Sequence, residues 1–154
     1  MNTLTLLRTS ILAILLHVIF LQKADAQTQV TWMNIVGATQ SGDSIKDNAS
    51  SGFGNSGASS VNWLPGGQNG YVQFYYNNVS HGTFVLGFSR FDMNQNYTTI
   101  DYGVYFDGTN IQVYSSGSWL GSFGTITTGD SVRITRTGDS IVISKDSVPL
   151  YTAI

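Results

Sequence analysis

The sequence predicts an all-β protein that folds as an antiparallel sandwich. Short stretches of alternating apolar and polar residues recur along the chain, and clusters of Gly, Asn, Asp and Ser separate them at intervals of about 8–12 residues. The sequence shows no helical periodicity after its first 26 residues. Roughly ten or eleven strands at this spacing favour an antiparallel sandwich over a parallel sheet.

The clearest stretch runs from residue 100 to residue 130 and predicts three strands joined by turns. Asp107-Gly108-Thr109-Asn110 has the composition of a turn, and apolar residues alternate with polar ones on both sides of it. The alternation predicts that Tyr105, Gln112 and Tyr114 face outward. The residues predicted to face the core are Tyr102, Val104, Phe106, Ile111 and Val113.

The remaining strands are predicted from the same alternation. The segment 83–89 is almost continuously apolar, which predicts a central strand covered on both faces. The turn after Lys145 is predicted over 146–149. The other predicted strands are 30–34, 36–39, 43–46, 58–64, 71–76, 131–136, 140–145 and 150–152.

The first 26 residues have the pattern of a secretory signal peptide. Arg8 precedes an apolar run over residues 11–21, and Ala24-Asp25-Ala26 predicts cleavage before Gln27. The alternative is a membrane anchor, but the run is shorter than the roughly 20 residues that cross a bilayer. We therefore expect a secreted or cell-surface domain over residues 27–154. Because no further strand follows residues 150–152, we also expect that the domain is truncated and belongs to a longer protein; the alternative is a small domain with an open edge.

Composition disfavours several classes of function for residues 27–154. This segment has five Lys and Arg residues, eight Asp, no Glu and no Cys, and its charges form no run. Nucleic-acid binding needs a basic stripe, so we expect no nucleic-acid partner. Thiol chemistry and disulfides need cysteine, which the segment lacks.

Catalysis is also disfavoured, so we expect a protein that is not an enzyme. Asp101 and Asp107 lie six positions apart on one strand, a separation of roughly 20 Å, whereas glycosidase carboxylates lie about 5–10 Å apart. His81 has no nucleophile motif near it and is interpreted as a turn residue. Asp92, Asn94 and Asn96 superficially resemble a calcium loop but lack its glycine and glutamate, so we interpret them as a polar loop and expect no metal or cofactor.

A set of short motifs runs in order through residues 27–154. The motifs are VTW (30–32), SGFGNSGASS (51–60), GYVQF (70–74), LGFS (86–89), IDYGVY (100–105), VY (113–114), GDSVRI (129–134) and LYT (150–152). Their order resembles the concanavalin A-like (LamG- or SPRY-like) jelly-roll modules of secreted and surface bacterial proteins, often from Bacteroidetes, which often stand beside adhesion or glycan-processing domains. The resemblance implies a jelly roll, and Asp146-Ser147-Val148-Pro149 departs from the Lys-Asn-Gly hairpin usual in such modules.

Binding of a glycan is the function that the residues favour. Aromatic rings stack on the C–H faces of sugars, and amide side chains bond to sugar hydroxyls. Alternation also turns Tyr71 and Tyr75 outward, whereas Trp32, Trp63, Tyr102 and Phe106 are expected to pack inside. The candidate ligand-binding residues are Tyr97, Tyr105, Tyr114, Trp119, Asn94, Asn96 and Gln112.

For those four aromatic candidates, packing in the core is an equal alternative. We expect a non-catalytic carbohydrate-binding or adhesion module of a larger extracellular protein, with a glycan or cell-surface polysaccharide as its partner. The alternative is a structural spacer or protein–protein interaction domain without a small ligand.

Overall fold

Alternation gives most strands one apolar side, and the chain buries these sides between two sheets. The computed structural model describes residues 27–48, 54–77 and 82–154. The predicted signal peptide and His81 lie outside the described residues. The described elements are β1 (Trp32–Val36), β2 (Ala38–Ser41), β3 (Ser44–Asp47), β4 (Gly57–Ser60), β5 (Gly70–Tyr75), β6 (Phe84–Phe88), a 3-10 turn (Tyr97–Thr99), β7 (Tyr102–Asp107), β8 (Asn110–Ser115), β9 (Ser118–Thr125), β10 (Ser131–Thr137), β11 (Ser140–Lys145) and β12 (Val148–Ala153).

Two four-stranded sheets form the body of the protein. Their strand orders are β12-β11-β10-β5 and β6-β7-β8-β9, and every neighbouring pair is antiparallel. Aromatic contacts join the two sheets near both edges. The ring centroids of Phe74 on β5 and Phe84 on β6 lie 5.2 Å apart, and those of Phe123 on β9 and Tyr151 on β12 lie 5.4 Å apart. The predicted all-β, antiparallel arrangement is therefore confirmed.

An aromatic cluster fills the space between β5, β6 and β7. Phe106 is fully buried, and its ring centroid lies 4.6 Å from that of Phe84 and 5.7 Å from that of Phe74. Such ring pairs add to the stability that burial of their apolar area provides. The other buried apolar residues are Tyr76, Val104, Ile111, Val113, Ile126, Val132, Ile134, Ile141 and Ile143. The prediction that Phe106, Val104, Ile111 and Val113 face the core is confirmed, and Tyr102 is half-buried against that core.

The N-terminal strands form two small ribbons outside the sandwich. β1 pairs with β4, and β2 pairs with β3. Both ribbons are largely exposed. Trp32 is half-buried rather than packed inside the sandwich, and its indole N–H donates to the backbone oxygen of Asp43 at 2.7 Å. The side chain of Asn34 donates to Asp92, which ties β1 to the loop before the 3-10 turn.

Several sequence predictions about the strands are wrong. β6 lies at the edge of its sheet, not at the centre, and the apolar cover on its outer side comes from a loop described below. The strand predicted over 58–64 ends at Ser60, whose hydroxyl donates to the backbone oxygen of Asn62 at 2.6 Å where the chain turns away. Trp63 therefore lies beyond the strand and is 79% exposed instead of buried.

The hairpin between β11 and β12 is tighter than predicted. Its two turn residues are Asp146 and Ser147, and β12 already begins at Val148. Both have positive φ, 47° and 68°, which is the geometry of a two-residue hairpin that usually contains Asn-Gly. Neither turn residue is glycine. The Asp146 carboxylate accepts a hydrogen bond from the backbone N–H of Ser131 at 2.8 Å, and this bond ties the hairpin to β10.

None of the helical structure in the described ranges has the length and apolarity that a bilayer-spanning helix requires.

Candidate functional site

The four candidate aromatic residues lie at the outer side of the β6-β7-β8-β9 sheet, three on its strands and Tyr97 on the 3-10 turn. Burial of Val104, Phe106 and Val113 turns the intervening residues of β7 and β8 to the other side of the sheet. The register places Tyr105 opposite Gln112, and Tyr114 opposite Trp119. We call this surface the tyrosine face and define it by Tyr97, Tyr105, Gln112, Tyr114 and Trp119.

Three tyrosine rings of this face form one cluster. Tyr105 and Tyr114 are diagonal neighbours across β7 and β8, with ring centroids 5.3 Å apart. The ring of Tyr97 meets that of Tyr114 edge to face, at 5.7 Å and an interplanar angle of 88°. The three rings are half-buried, and they are packed against one another rather than in the core between the sheets. The alternative that these residues pack in the core is therefore wrong.

The electrostatic surroundings of Tyr105 keep its hydroxyl protonated. Burial raises the pKa of Tyr105, and the nearby negative charge of Asp107 raises it further. Because the ordinary pKa of tyrosine is already near 10, the phenol is neutral at physiological pH. A protonated phenol can donate a hydrogen bond as well as accept one.

Trp119 is the most exposed aromatic residue of the face. It lies on the edge strand β9, next to a bulge that changes the register between Val113 and Tyr114, and it is 60% exposed. Alternation alone does not fix the direction of a side chain beside a bulge, because the bulge shifts the alternation of its strand. Pairing with Tyr114 places Trp119 at the margin of the tyrosine face.

Asn94 and Asn96 shape the loop that carries Tyr97. The side-chain oxygen of Asn94 accepts from the backbone N–H of Asn96 at 2.8 Å. The side-chain oxygen of Asn96 accepts from the backbone N–H and the hydroxyl of Thr98, at 3.1 and 3.0 Å. Both oxygens thus hold the 3-10 turn, so the structure gives these two predicted ligand residues a positioning role.

A notch of two glycines seats this loop on the sheet. Gly87 and Gly103 are paired on β6 and β7, and the side chain of Ile100 lies over both. A Cβ atom at Gly87 would lie 2.6 Å from Cγ2 of Ile100 and 2.2 Å from the backbone oxygen of Tyr102. The backbone N–H of Ser116 donates to the oxygen of Ile100 at 3.0 Å and fixes the loop from the β8 side. Ile100 therefore covers this part of β6 and β7, and the rings of Tyr105 and Tyr114 lie beside it on β7 and β8.

An ion pair closes the base of the same loop. The Asp101 carboxylate accepts from the backbone N–H of Arg90 at 2.7 Å and from its guanidinium at 3.0 and 3.2 Å. Partial burial raises the pKa of Asp101, but the hydrogen bonds and positive charge of Arg90 outweigh that effect, so its pKa is lowered overall. The ionised carboxylate thus stabilises the loop that positions Tyr97.

Two acidic side chains near this face, Asp92 and Asp101, make hydrogen bonds within the protein. Asp101 bonds to Arg90, and Asp107 lies at the opposite end of β7. Asp92 accepts hydrogen bonds from Ser59 and Asn34, which lower its pKa. Within residues 27–48, 54–77 and 82–154, no three His, Cys, Asp or Glu side chains come together as a metal site would require.

The sequence analysis did not predict a cleft that lies between β9 and the β11–β12 hairpin. The cleft has a volume of about 350 Å³. Lys145 stands in it, donating to the backbone oxygen of Thr125 at 2.9 Å and pairing with Asp130 at 2.7 Å. These contacts join strands of both sheets, so Lys145 acts as a structural bridge. Alternation gives no signal for the cleft, because it depends on how the two sheets are stacked. Its lining residues are Phe123, Gly124, Thr125, Lys145, Asp146, Val148 and Leu150.

Comparisons of the chain with models of protein families, with curated proteins and with solved structures find no match. The resemblance to concanavalin A-like modules stays a prediction.

The glycine notch generates a testable prediction. Gly87→Ala places a methyl group against backbone atoms and Ile100, and overpacking of this kind costs about 1–3 kcal/mol. We expect a lower free energy of unfolding in urea and faster amide exchange in residues 97–101. Gly66→Ala, at a position with open space around it, is the matched control and leaves both unchanged. A Gly87→Ala protein as stable as the wild type would show that the notch does not seat the loop.

The Arg90–Asp101 pair generates a prediction about pH. Because the folded pKa of Asp101 lies below the ordinary value near 3.9, its ionised form adds stability above that pH, and the addition is lost as pH falls through the folded pKa. The wild type should therefore exceed Asp101→Asn in free energy of unfolding at pH 7, and the difference should shrink below about pH 4.

Urea unfolding over a series of pH values measures this difference. Asp92 and Asp130, whose pKa values are also lowered, are present in both proteins, so their contributions cancel. Asp139→Asn, in the exposed β10–β11 turn, is the control and should run parallel to the wild type. A difference for Asp101→Asn that stays constant from pH 7 to pH 3 contradicts the interpretation.

Proposed function

We propose that the protein is a secreted, non-catalytic module that binds a neutral glycan on the tyrosine face. The observation that supports this proposal most is the cluster of Tyr97, Tyr105 and Tyr114 outside the core, with the exposed Trp119 at its margin. Half-buried rings held by one another are preorganised, so little entropy is lost when a ligand contacts them. The predicted signal peptide supports secretion, and the predicted jelly-roll topology belongs to the same proposal.

The chemistry of the face suits a sugar without charge. Gln112 stands opposite Tyr105 and brings both an amide donor and an amide acceptor to the rings. Asp107, opposite Asn110 at the end of the β7–β8 hairpin, is the acidic residue nearest to them along these strands. In the proposed mechanism, the Trp119 indole stacks on a sugar ring while Gln112 and the tyrosine hydroxyls bond to sugar hydroxyls.

We propose that the glycan lies in an open site on the outer side of the sheet and not in an enclosed pocket. Ile100 already covers the β6 side of the sheet, so a glycan is held along β7, β8 and β9. Shallow sites bury less of their ligand than enclosed pockets do. Adhesion through many weak contacts, in a larger extracellular protein, fits such a site.

A second candidate function has its own support. The loop and ribbons outside the sandwich expose Phe91, Met93 and Trp63 to 69, 70 and 79%. Large exposed apolar side chains favour contacts between proteins. A structural spacer or protein–protein interaction domain gains support if no neutral glycan binds the folded protein.

Glycan binding can be tested with one pair of tryptophan variants. A glycan array identifies the neutral ligand, and calorimetry then compares the wild type with Trp119→Ala. Loss of one stacking contact should weaken binding about tenfold, which corresponds to roughly 1.4 kcal/mol. Trp63→Ala removes an indole that is even more exposed but lies off the tyrosine face, and it should bind like the wild type. Equal losses in both variants, or no binding by a folded wild type, would contradict the proposal.

A further inference from the structure

The outer side of the second sheet, β12-β11-β10-β5, carries a different set of groups. Val132 and Ile134 of β10 are buried between the sheets, so Arg133 faces outward. The register places Arg133 opposite Gln73 of β5 and beside Tyr71 and Tyr75, which lie two positions to either side of Gln73. We call this surface the arginine face and define it by Tyr71, Gln73, Tyr75 and Arg133.

Contacts on both sides hold the Arg133 guanidinium in place. Its central carbon lies 4.1 Å from the centroid of the Tyr71 ring, which is a cation–π contact. Its Nε donates to the side-chain oxygen of Gln73 at 2.7 Å, and one terminal nitrogen donates to the same oxygen. The guanidinium has five N–H groups, so these bonds leave three. The edge between the two terminal nitrogens can still bind a carboxylate in a fork.

This oriented cation stands without an acidic partner. Across the parts of the chain that the structure describes, ion pairs are made by Arg90 and Lys145, and none is made by Arg133. The Asp146 carboxylate, at the end of the same sheet, is turned onto the backbone N–H and hydroxyl of Ser131. In a chain of net charge −2, an ordered arginine among uncharged side chains is a local centre of positive potential.

A second tyrosine ring, more exposed than Tyr71, lies on the same face as that charge. Tyr75 is 56% exposed and is a diagonal neighbour of Arg133 across β5 and β10, which separates their backbones by about 7–8 Å. Because the guanidinium lies against Tyr71, on the far side of Gln73 from Tyr75, an oligosaccharide contacts Tyr75 and Arg133 with two neighbouring rings.

We propose that the arginine face is a second binding site, for a sugar that carries a carboxylate. One sugar ring stacks on Tyr75, the carboxylate of the neighbouring uronic acid takes the free edge of Arg133, and Tyr71 and Gln73 hold that arginine in orientation. The aromatic ring distinguishes this ligand from an inorganic anion, and the fork of Arg133 distinguishes it from a neutral sugar. The site lies on the opposite sheet from the tyrosine face and does not depend on it.

One pair of probes tests the charge directly. Galacturonic acid oligosaccharides and their methyl esters share a backbone and differ in the carboxylate. We expect calorimetry at low ionic strength to show at least tenfold tighter binding of the acid form by the wild type. Arg133→Gln should abolish this preference, and Arg133→Lys, which keeps the charge but loses the fork, should keep only part of it.

Control variants separate this site from folding and from the tyrosine face. Arg136→Gln removes a neighbouring arginine whose Nε donates to the backbone oxygen of Gly138 in a turn, and it should keep the preference. Trp119→Ala should also keep it, so a failure of the tyrosine face leaves this result unchanged. If Arg133→Gln does not fold, Tyr75→Ala supplies the test and should weaken binding of both probes.

Three results would overturn the proposal. The acid and ester forms could bind the wild type equally or not at all. The preference could survive in a folded Arg133→Gln protein. An acidic peptide such as oligo-aspartate could compete as well as the oligosaccharide does, which would show attraction of charge without recognition of a sugar.

Discussion

Packing of Phe106 against Phe84 and Phe74 is the contact on which the rest of the structure depends. It joins the two sheets, and strand alternation then fixes what each sheet shows to solvent. With Phe106 and Val113 inside, Tyr105 and Tyr114 face outward. With Val132 and Ile134 inside on the other sheet, Arg133 faces outward. One buried core therefore produces two different outer faces, one aromatic and neutral, the other with an oriented cation.

The hairpin from β7 to β8 could be predicted from sequence because its cause is local. Alternation and the turn residues 107–110 lie within a few positions of one another, and the structure confirms both. The central position predicted for β6 was wrong because its apolar outer side is covered by Ile100, which lies 12 residues beyond the end of β6. Trp63 was misplaced for a related reason: it follows β4, where alternation no longer applies.

The roles of residues that sequence patterns did not predict depend on the folded geometry of the loop and on the pairing of the strands. Asn94 and Asn96 have residue types that suit a sugar, but whether their oxygens bind a ligand or hold a turn depends on the loop geometry. The contact of Arg133 with Tyr71 joins strands about 60 positions apart, so only the pairing of β5 with β10 reveals it. Sequence patterns identified the outward residues, and the sheet register identified which of them meet.

The central proposal is that Tyr97, Tyr105, Tyr114 and Trp119 form one ligand-binding surface. Nuclear magnetic resonance of the labelled protein, titrated with the neutral glycan that the array identifies, tests this proposal most directly. We expect shift changes to concentrate on the ring resonances of these four residues, while those of Trp63 and Tyr75 stay unchanged. Changes centred on Trp63 and the N-terminal ribbons, or no changes at saturating glycan, would contradict it.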